Sequence, residues 1–553
     1  MMHYIQNLRT LATTPARADA LAIAEAGLAA IDTETVLRNT LRLAGDTLTI
    51  QGTQFSLGDF RHIYVVGFGK VACTAALTLE ELLAGRVADG AVVGIKEKVC
   101  QVVDTYAGTH PLPSSLNYTA TRHIEEVARR ATADDLVLVV VSGGGSALLC
   151  SSMSECEQGT RLFSSFLPSG GTIEELNIVR KHISTLKGGG LAKTLYPATV
   201  ASLVFSDVPG GDMAAVASGP TCQDSSTIDD ARAIIERYQL GTFNLVETPK
   251  DDKYFTNVHN FLVASNEVAL EAMAAEATKR GYQSEILAKT QYATPEETQS
   301  LLTKQAAPGT VYLVGGETKL VIPDNCTGKG GRNDYLALHM LEALMPGQVF
   351  VSLASDGKDN TTAAGALADA ETARKAAQAG LNVTDYEPCR NSFPFFDTVG
   401  DHIVTGPLES NVSDLMMLLN PGHTSKRQPA PIESITAEVI KDSRGKDTIA
   451  VTVAVGGETG TFSVPSGAST GSREVHAKPA KEAVRIVKKV VAPALCGHNV
   501  HDQQGLDERL HTLDSTPLFD VIGGNTALGV SVAALKASAA VQGVEPWQYV
   551  AEL

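Results

Sequence analysis

A chain of 553 residues is too long for a single hydrophobic core, so we expect two to four domains. Hydrophobic residues make up 44% and charged residues 19% of the chain, which is typical of soluble globular proteins. The formal net charge of -17 disfavours nucleic acid and anionic membranes as partners, because both would be repelled. No apolar run is long enough to cross a bilayer, so we expect a cytoplasmic protein. The N-terminal stretch, with Arg9 and Arg17 before its first acid, leaves a mitochondrial transit peptide as the alternative.

The eight cysteines are scattered along the chain and form no CxxC pair. Such spacing predicts reduced, unpaired thiols of a cytosolic protein. The same spacing disfavours a structural zinc site.

Five short apolar runs, each followed at once by Gly or Asp, predict buried strands. They are IYVVGFGK (63–70), LVLVVVSGGGSALL (136–149), ASLVFSDVPGGD (201–212), VYLVGGET (311–318) and VFVSLASDGKD (349–359). Stretches with helical spacing lie between them, so the alternation predicts parallel sheets covered by helices on both faces. Ligands of such sheets bind at the carboxyl ends of the strands, which is where these Gly and Asp residues fall.

Two changes in sequence composition divide the chain. The apolar pattern weakens around 241–260, and a polar, Pro-rich segment occupies 420–431. We therefore predict an α/β domain over 1–245, a second α/β domain over 246–419, a linker over 420–431 and an α+β module over 432–553. The predicted fold class is α/β, with two parallel-sheet Rossmann-like domains that enclose a cleft, followed by the small α+β module.

Two glycine-rich turns that follow strands are candidates for binding anions. The first is Gly67-Phe-Gly-Lys70, where backbone N–H groups and the lysine could hold a phosphate. The second, after the next strand, consists of Ser142, Gly143, Gly144, Gly145 and Ser146. Neither has the spacing of a Walker A loop or of a full GxGxxG motif. Tight turns that only pack helix on strand are the alternative.

A local cationic segment stands out in this acidic chain. The sequence NIVRKHISTLKGGGLA (177–192) carries cations beside a triple glycine, and its candidates for holding an anion are Arg180, Lys187, Gly188 and Gly189. An exposed helix face is the alternative.

Carboxylates also follow the strands. Asp207 follows the apolar part of the third run, and Asp356 and Asp359 follow that of the fifth. Such carboxylates can hold a magnesium–nucleotide complex or accept a hydroxyl proton, but they also cap helices and turns. Arg332 lies just before a predicted helix and is suited to bidentate phosphate contact. Together these residues indicate an enzyme of phosphoryl transfer that binds a phosphorylated ligand between two α/β domains.

Residues from about 16 to 418 resemble the class II glycerate kinases, whose second half is the MOFRL domain. The resemblance rests on an ordered series of motifs: VVGFGKVA, THPLP (109–113), SGGGSALL, LNIVRKHIS, LKGGGLA, SDVPGGD, ASGPT (217–221), ASN (264–266), GGET, GKGGRN, SDGKD, AAGA (363–366), TGP and NVSDL. It implies transfer of the γ-phosphate of ATP to a hydroxyl of D-glycerate, usually at C2, with a need for Mg²⁺. It also implies that Lys70 and Arg332 are catalytic.

Other roles in this series are hypotheses. Asp207 orients or deprotonates the acceptor hydroxyl, Asp356 is a metal-ligand candidate, and Asn266 and Glu317 bind substrate or phosphate. The chain departs from the family pattern after GRN, where Asp334-Tyr335 replaces the usual Gln-Glu. It departs again at Arg390-Asn391-Ser392-Phe393, where the family tends to have Asn-Asp-Ser-Tyr.

Residues 432–553 resemble the N-terminal domain of enolase through DSRG (442–445), VPSGASTGS (464–472), LDST (513–516) and GGNTALGVSVA (523–533). The resemblance implies that Ser469 lies on a loop that reaches a magnesium ion in enolases. Enolases keep their catalytic residues in a barrel that this sequence does not contain, so we expect no enolase turnover from this chain alone. A full-length enolase, or a second copy of the module, is a candidate partner.

Three functions remain open from the sequence. The leading one is an ATP-dependent glycerate 2-kinase. An oxidoreductase acting on hydroxypyruvate is the first alternative, and the absence of a GxGxxG motif with a downstream acid argues against it. A non-catalytic assembly module that joins a degenerate kinase to an enolase domain is the second.

Overall fold

The computed structural model describes residues 3–208, 210–304, 307–323, 326–421, 430–467 and 474–552. The chain divides into two compact units, Met1–Asn420 and Pro421–Leu553. In the described part of the chain, no helix combines the length and apolar character that a bilayer crossing requires.

The first α/β domain is built on a six-stranded sheet. Its N-terminal elements are α1 (Leu8–Leu11), α2 (Pro15–Ala30), α3 (Thr33–Thr40) and a small antiparallel meander of β1 (Leu41–Ala44), β2 (Thr47–Ile50) and β3 (Thr53–Ser56). The sheet strands are β4 (His62–Phe68), β5 (Val87–Gly94), β6 (Val103–Ala107), β7 (Asp135–Ser142), β8 (Thr199–Phe205) and β9 (Val258–Ala264). They lie in the order β6-β5-β4-β7-β8-β9, and every neighbouring pair is parallel.

Helices connect these strands and cover both faces of the sheet. They are α4 (Ala72–Leu83), α5 (Ser115–Arg130), α6 (Gly145–Leu148), α7 (Met153–Phe166), α8 (Ile173–His182), α9 (Gly190–Leu195) and α10 (Ile228–Arg237). Capping boxes at Ser114 and Thr172 start α5 and α8, because each side chain accepts a backbone N–H of the first turn. Two apolar clusters pack on opposite faces of the sheet, as the continuous apolar strands predict.

The second α/β domain has a mixed sheet. Its elements are α11 (Asn266–Lys279), β10 (Gln283–Ala293), α12 (Pro295–Thr303), β11 (Thr310–Thr318), α13 (Arg332–Met340), β12 (Val349–Ala354), β13 (Gly365–Asp369), α14 (Ala370–Gln378), α15 (Ser392–Val399), β14 (His402–Ile403) and β15 (Asp414–Asn420). The strand order is β10-β11-β15-β12-β13-β14. β10 and β11 pair in parallel, while β15 inserts antiparallel between β11 and β12. The α/β architecture is confirmed, and these antiparallel strands are a feature that the helix–strand alternation did not predict.

The boundary predicted between residues 245 and 246 does not follow the strand pairing. β9 pairs with β8, so the first sheet extends to Ala264. Helix α2 packs against α11, and its apolar side chains join the core of the second domain. The second domain therefore takes its core from both ends of the Met1–Asn420 unit, because the apolar face of α2 is buried there.

Two pairs of cysteines form disulfides, which corrects the prediction of unpaired thiols. Cys150 pairs with Cys156 across a Cα–Cα distance of 5.8 Å, and Cys326 pairs with Cys389 across 5.0 Å. Both pairs are brought together by tertiary structure or by the turn before α7, which cysteine spacing alone does not reveal.

The Pro421–Leu553 unit is an α+β module with its own apolar core. It comprises β16 (Ser434–Lys441), β17 (Asp447–Val455), β18 (Glu458–Ser463), α16 (Ala480–Ile486), a π-helical turn (Val487–Val491), α17 (Ala492–Leu495), α18 (Gln503–Leu513), α19 (Gly524–Val541) and α20 (Pro546–Glu552). The strands form an antiparallel meander, and α19 lies so close to β18 that a Cβ on Gly460 would collide with its backbone. The predicted magnesium-binding residue Ser469 lies outside the described residues.

Candidate functional site

The carboxyl ends of the two sheets face each other within the Met1–Asn420 unit. Lys70, just after β4, has its Nζ 3.6 Å from Oδ2 of Asp356, which follows β12. Ser413, just before β15, donates a hydroxyl hydrogen bond of 3.1 Å to the backbone carbonyl of Asp207, which follows β8. Residues predicted from two distant parts of the sequence therefore meet at one place.

The first glycine turn holds Lys70 against the second. Gly69 has a φ of +117°, and a Cβ there would collide with Ser142. The backbone N–H of Lys70 donates to the carbonyl of Gly143 at 2.9 Å. The hydroxyl of Ser142 is buried and accepts the N–H of Val71 at 3.3 Å, so this predicted ligand-binding group connects the two turns.

Asp207 occupies space that only a glycine leaves free. A Cβ on Gly143 would collide with the Asp207 carboxylate, which explains why the first of the three residues is a glycine. Burial raises the pKa of Asp207, while the nearby positive charge of Lys70 acts in the opposite direction and the negative charge of Glu317 adds to the rise. The carboxylate therefore lies within the fields of both halves of the site and is a stronger proton acceptor than a solvated aspartate.

Arg332 begins α13 and is held by two carboxylates. Its guanidinium donates to both carboxylate oxygens of Asp414 and, at 3.1 Å, to Glu317. Burial lowers the pKa of Arg332, but the charge and hydrogen bonds of Asp414 outweigh it, so the pKa stays above the ordinary value. Burial raises the pKa of Asp414 to about 6, so this carboxylate, which pairs with Arg332, remains ionised at neutral pH. Sequence reasoning missed Asp414, although it lies in the NVSDL motif.

Asp359 caps α13, the helix that begins with Arg332. Its carboxylate accepts the backbone N–H groups of Asn333 and Asp334 at 2.9 and 2.8 Å, so it satisfies the first turn of α13. Burial, together with the charge of Asp334, raises the pKa of Asp359 to about 7. Asp359 is therefore a helix cap, which is the alternative role that the sequence left open.

Two further basic side chains, His110 and Arg180, lie on the first-domain side, and sequence reasoning missed His110. His110 comes from the THPLP motif, and a Cβ on Gly144 would lie 3.1 Å from its ring. Burial lowers the pKa of His110, and the positive charges of Lys70 and Arg180 lower it further. Burial also lowers the pKa of Arg180 to about 10. Among the described residues, Arg180 has no carboxylate within ion-pair distance, so its charge is available to an anionic ligand.

A short chain of polar side chains connects the second glycine turn to Arg180. The hydroxyls of Ser146 and Ser218 are 3.0 Å apart, and Ser218 donates to Asn177 at 3.3 Å. Asn177 in turn accepts from Nη1 of Arg180 at 3.4 Å. Two predicted residues, Ser146 and Arg180, are thus brought together through Ser218, which lies in the ASGPT motif.

Three predicted ligand-binding positions have other partners in the structure. The ammonium of Lys187 is buried, donates to the carbonyl of Leu149 at 2.7 Å and forms an ion pair with Glu155. The N–H groups of Gly188 and Gly189 donate to the carbonyls of residues 218 and 219, both at 2.9 Å. This segment therefore positions the Ser218 turn and leaves neither its ammonium nor these N–H groups free for an anion.

Asn266, another predicted ligand-binding residue, also has a partner within the protein. Its side-chain amide donates to the carbonyl of Lys289 and so fastens α11 to β10. Glu317, in contrast, lies within the site through its contact with Arg332. The described residues contain no cluster of three or more His, Cys, Asp or Glu side chains arranged to hold a metal ion.

These features define a two-domain α/β protein whose facing strand ends carry Lys70 and Arg332 together with several carboxylates. Residues 19–247 match the family model described as a domain of unknown function, DUF4147, and residues 310–414 match the MOFRL family. Residues 432–550 match the N-terminal domain of enolase.

A glycerate 2-kinase of Pyrococcus horikoshii is 33% identical over 438 residues, which cover 72% of this chain and 95% of that protein. A putative hydroxypyruvate reductase of Agrobacterium vitis is 32% identical over 381 residues, with 64% and 86% coverage. The crystal structure of a glycerate kinase from Thermotoga maritima matches with a TM-score of 0.65 at 29% identity, over 73% of this chain and 98% of that one. The chain belongs to the glycerate kinase family with a MOFRL domain.

Proposed function

We propose that the Met1–Asn420 unit transfers the γ-phosphate of ATP to D-glycerate, at the C2 hydroxyl. The observation that carries the proposal is that the strand ends of the two sheets meet, with Lys70 3.6 Å from Asp356 and Asp207 hydrogen-bonded to Ser413 at 3.1 Å. Phosphoryl transfer needs positioned cations and a proton acceptor more than a dedicated nucleophile, and this site offers both.

Each charged residue has a role in this scheme. Lys70 and Arg332 stabilise the negative charge on the transferring phosphoryl group. The C2 hydroxyl oxygen forms the new bond to the γ-phosphorus, its proton passes to Asp207, and ADP leaves with the electron pair of the broken bond. The raised pKa of Asp207 suits this step, because a proton acceptor works best when its pKa approaches the working pH.

Arg180 and His110 are the proposed contacts for the carboxylate of glycerate. Arg180 is partly buried and lacks a carboxylate partner among the residues described, so an anionic substrate would satisfy it. His110 is uncharged at neutral pH because its pKa is lowered, so it can offer one hydrogen bond without adding charge.

Mg²⁺ enters this proposal as part of the MgATP substrate. A phosphate-bound Mg²⁺ usually needs only one or two protein carboxylates. Asp356 and Glu317 are partly exposed at the strand ends, at 27% and 37% of their side chains, and are the residues proposed to meet it.

The proposal is tested by product identification. We expect ³¹P and ¹³C NMR to show 2-phosphoglycerate and ADP in equal amounts from ATP, D-glycerate and Mg²⁺. The similarity to a putative hydroxypyruvate reductase of Agrobacterium vitis favours hydroxypyruvate reduction as a second candidate. Oxidation of NADH by hydroxypyruvate, with no ADP formed from ATP and glycerate, would replace the kinase proposal by that one.

For the Pro421–Leu553 unit we propose an assembly role with no turnover of its own, with a full-length enolase or a second copy as the partner. The support is its match to an enolase domain and its separate apolar core. A chain that ends after Leu419 should keep the kinase activity of the full chain and lose co-purification with enolase. Dehydration of 2-phosphoglycerate by the isolated full chain would contradict the role.

A further inference from the structure

Three exposed apolar side chains lie at the edge of the second sheet, beside the Arg332 end of the candidate site. Tyr292 is close to the end of β10 and is 64% exposed, while Val321 and Ile322 follow β11 and are 76% and 63% exposed. Tyr292 is the Cα partner of Glu317, which contacts Arg332. Neighbouring strands are about 4.8 Å apart, so this apolar group begins one strand away from the carboxylate that holds the guanidinium.

The position of Tyr292 is fixed by a β-bulge. The register of β10 against β11 shifts between Ala288 and Gln291, just before the tyrosine. The amide of Asn266 holds the carbonyl of Lys289, and Gly316, with a φ of +135°, lets β11 approach where a Cβ would collide with Gln291. β-Bulges near active sites commonly change the direction of a side chain. Here contacts from α11 and β11 hold the bulge on both sides.

Lys319 covers one face of the tyrosine ring. Its Nζ lies 4.3 Å from the ring centroid, and its backbone N–H donates to the carbonyl of Ala293 at 2.8 Å, which ties the segment after β11 to the end of β10. Tyr292 is 64% exposed, so much of the side chain remains accessible to a flat ligand. The lysine also adds a positive charge beside the site of an acidic chain.

We propose that Tyr292 is the platform on which the purine base of the phosphate donor stacks. The proposal rests on the proposed function, in which Arg332 contacts the transferring phosphate. Because the base and the phosphates of a nucleoside triphosphate belong to one molecule, the base must bind within reach of the phosphate site. The Lys70–Asp356 contact with the first domain lies on the β12 side of Arg332. On the β10 side, a Cβ on Gly210 of the first domain would lie 3.2 Å from Thr290, and the exposed Tyr292 follows two residues later.

The test compares ligands with and without a base, by titration calorimetry on the full chain. Loss of one base-stacking contact should weaken ATP binding by about tenfold in Tyr292→Ala and leave it near wild type in Tyr292→Phe. Inorganic tripolyphosphate, which has no base, should bind equally well to wild type and to Tyr292→Ala. Tyr196→Ala, which removes another exposed tyrosine, is the matched control and should bind ATP as wild type does.

Three outcomes would overturn the platform. They are ATP affinity within twofold of wild type in Tyr292→Ala, an equal loss for ATP and tripolyphosphate, and no ATP binding by the wild-type chain. The equal loss would show that the tyrosine only supports the phosphate site. ATP binding by the wild type with the expected loss in Tyr292→Ala, but no phosphorylation of glycerate, would refute the proposed function and leave the platform supported.

Discussion

The two halves of the candidate site use their cations differently. In the first domain, Arg180 is partly buried and, among the residues described, no carboxylate pairs with it. In the second domain, Arg332 is held by both Asp414 and Glu317. A partly buried cation without a counter-ion is prepared to bind an anion, while a paired one is fixed in place by its carboxylates. This difference supports the proposal that the first half binds a small anion and that the second holds a catalytic cation in position.

The largest expected effect concerns the two cations that face the transferring phosphate. Lys70→Ala and Arg332→Ala should each lower kcat by roughly a thousandfold, because removing one preorganised electrostatic contact to a transition state typically costs that much. Steady-state kinetics with ATP and D-glycerate give the measurement. Lys193→Ala, which removes an exposed lysine of α9, should stay at the wild-type rate. A kcat within tenfold of wild type in either variant would contradict the catalytic role proposed for that residue.

The next effect separates binding cations from structural ones. Lys187→Met should lower the free energy of unfolding by about 3–5 kcal/mol, because it leaves Glu155 as an unpaired buried charge. Urea unfolding measures this, and the double variant Lys187→Met/Glu155→Leu should recover much of the loss. An unchanged unfolding free energy with a KM for glycerate raised tenfold would show instead that Lys187 binds substrate.

Arg180 should respond in the opposite way. Arg180→Gln should raise the KM for D-glycerate by roughly 10- to 100-fold with a small change in kcat, since a charge-assisted hydrogen bond contributes about 1.5–3 kcal/mol. The unfolding free energy should not fall, because in the described part of the chain no carboxylate loses a partner. A lower kcat at unchanged KM would move Arg180 from substrate binding to the chemical step.

The smallest effect lies behind Arg332 and depends on pH. The pKa of Asp359 is raised to about 7, so the folded state binds a proton that the unfolded state releases near pH 4. Stability from this group is therefore present at low pH and is lost as the pH rises through about 7. Asp334→Asn removes the neighbouring charge, and the stability difference between pH 5 and pH 8 should shrink by about 1 kcal/mol. An identical pH dependence in urea unfolding would show that the two carboxylates do not interact.

Much of the site was predictable because it depends on local sequence. A buried parallel strand must end at the ligand-binding edge, so Lys70, Asp207 and Asp356 could be placed there from their apolar runs alone. The sequence could predict that another group comes close to the backbone at Gly143. In the structure that group is the Asp207 side chain.

Other features depend on tertiary contacts that local patterns do not contain. Lys187 beside a triple glycine has the composition of an anion site, but its partner Glu155 comes from α7, some thirty residues away. The run DLMMLLN at 414–420 is apolar enough for a buried strand, and only the assembled sheet shows that it inserts antiparallel and delivers Asp414 to Arg332. Helix α2 likewise finds its partner in the far domain because its apolar face fits α11.

Two departures from the family pattern turn out to be neighbours. The guanidinium of Arg390 lies 4.5 Å from the ring centroid of Tyr335 and donates to its hydroxyl. The side chain of Arg390 also holds the carbonyl of Val321 at 3.2 Å. The pair therefore connects α13, which begins with Arg332, to the segment that carries the proposed base platform.

The central claim is that Lys70 and Arg332 act on the same phosphate from opposite domains. A double-mutant cycle on kcat tests it most directly, with Lys70→Ala, Arg332→Ala and the double variant measured beside wild type. Residues that act as one unit are non-additive, so the double variant should be only slightly slower than the slower single variant. A loss equal to the product of the two single losses would contradict the account, because the two cations would then be acting independently.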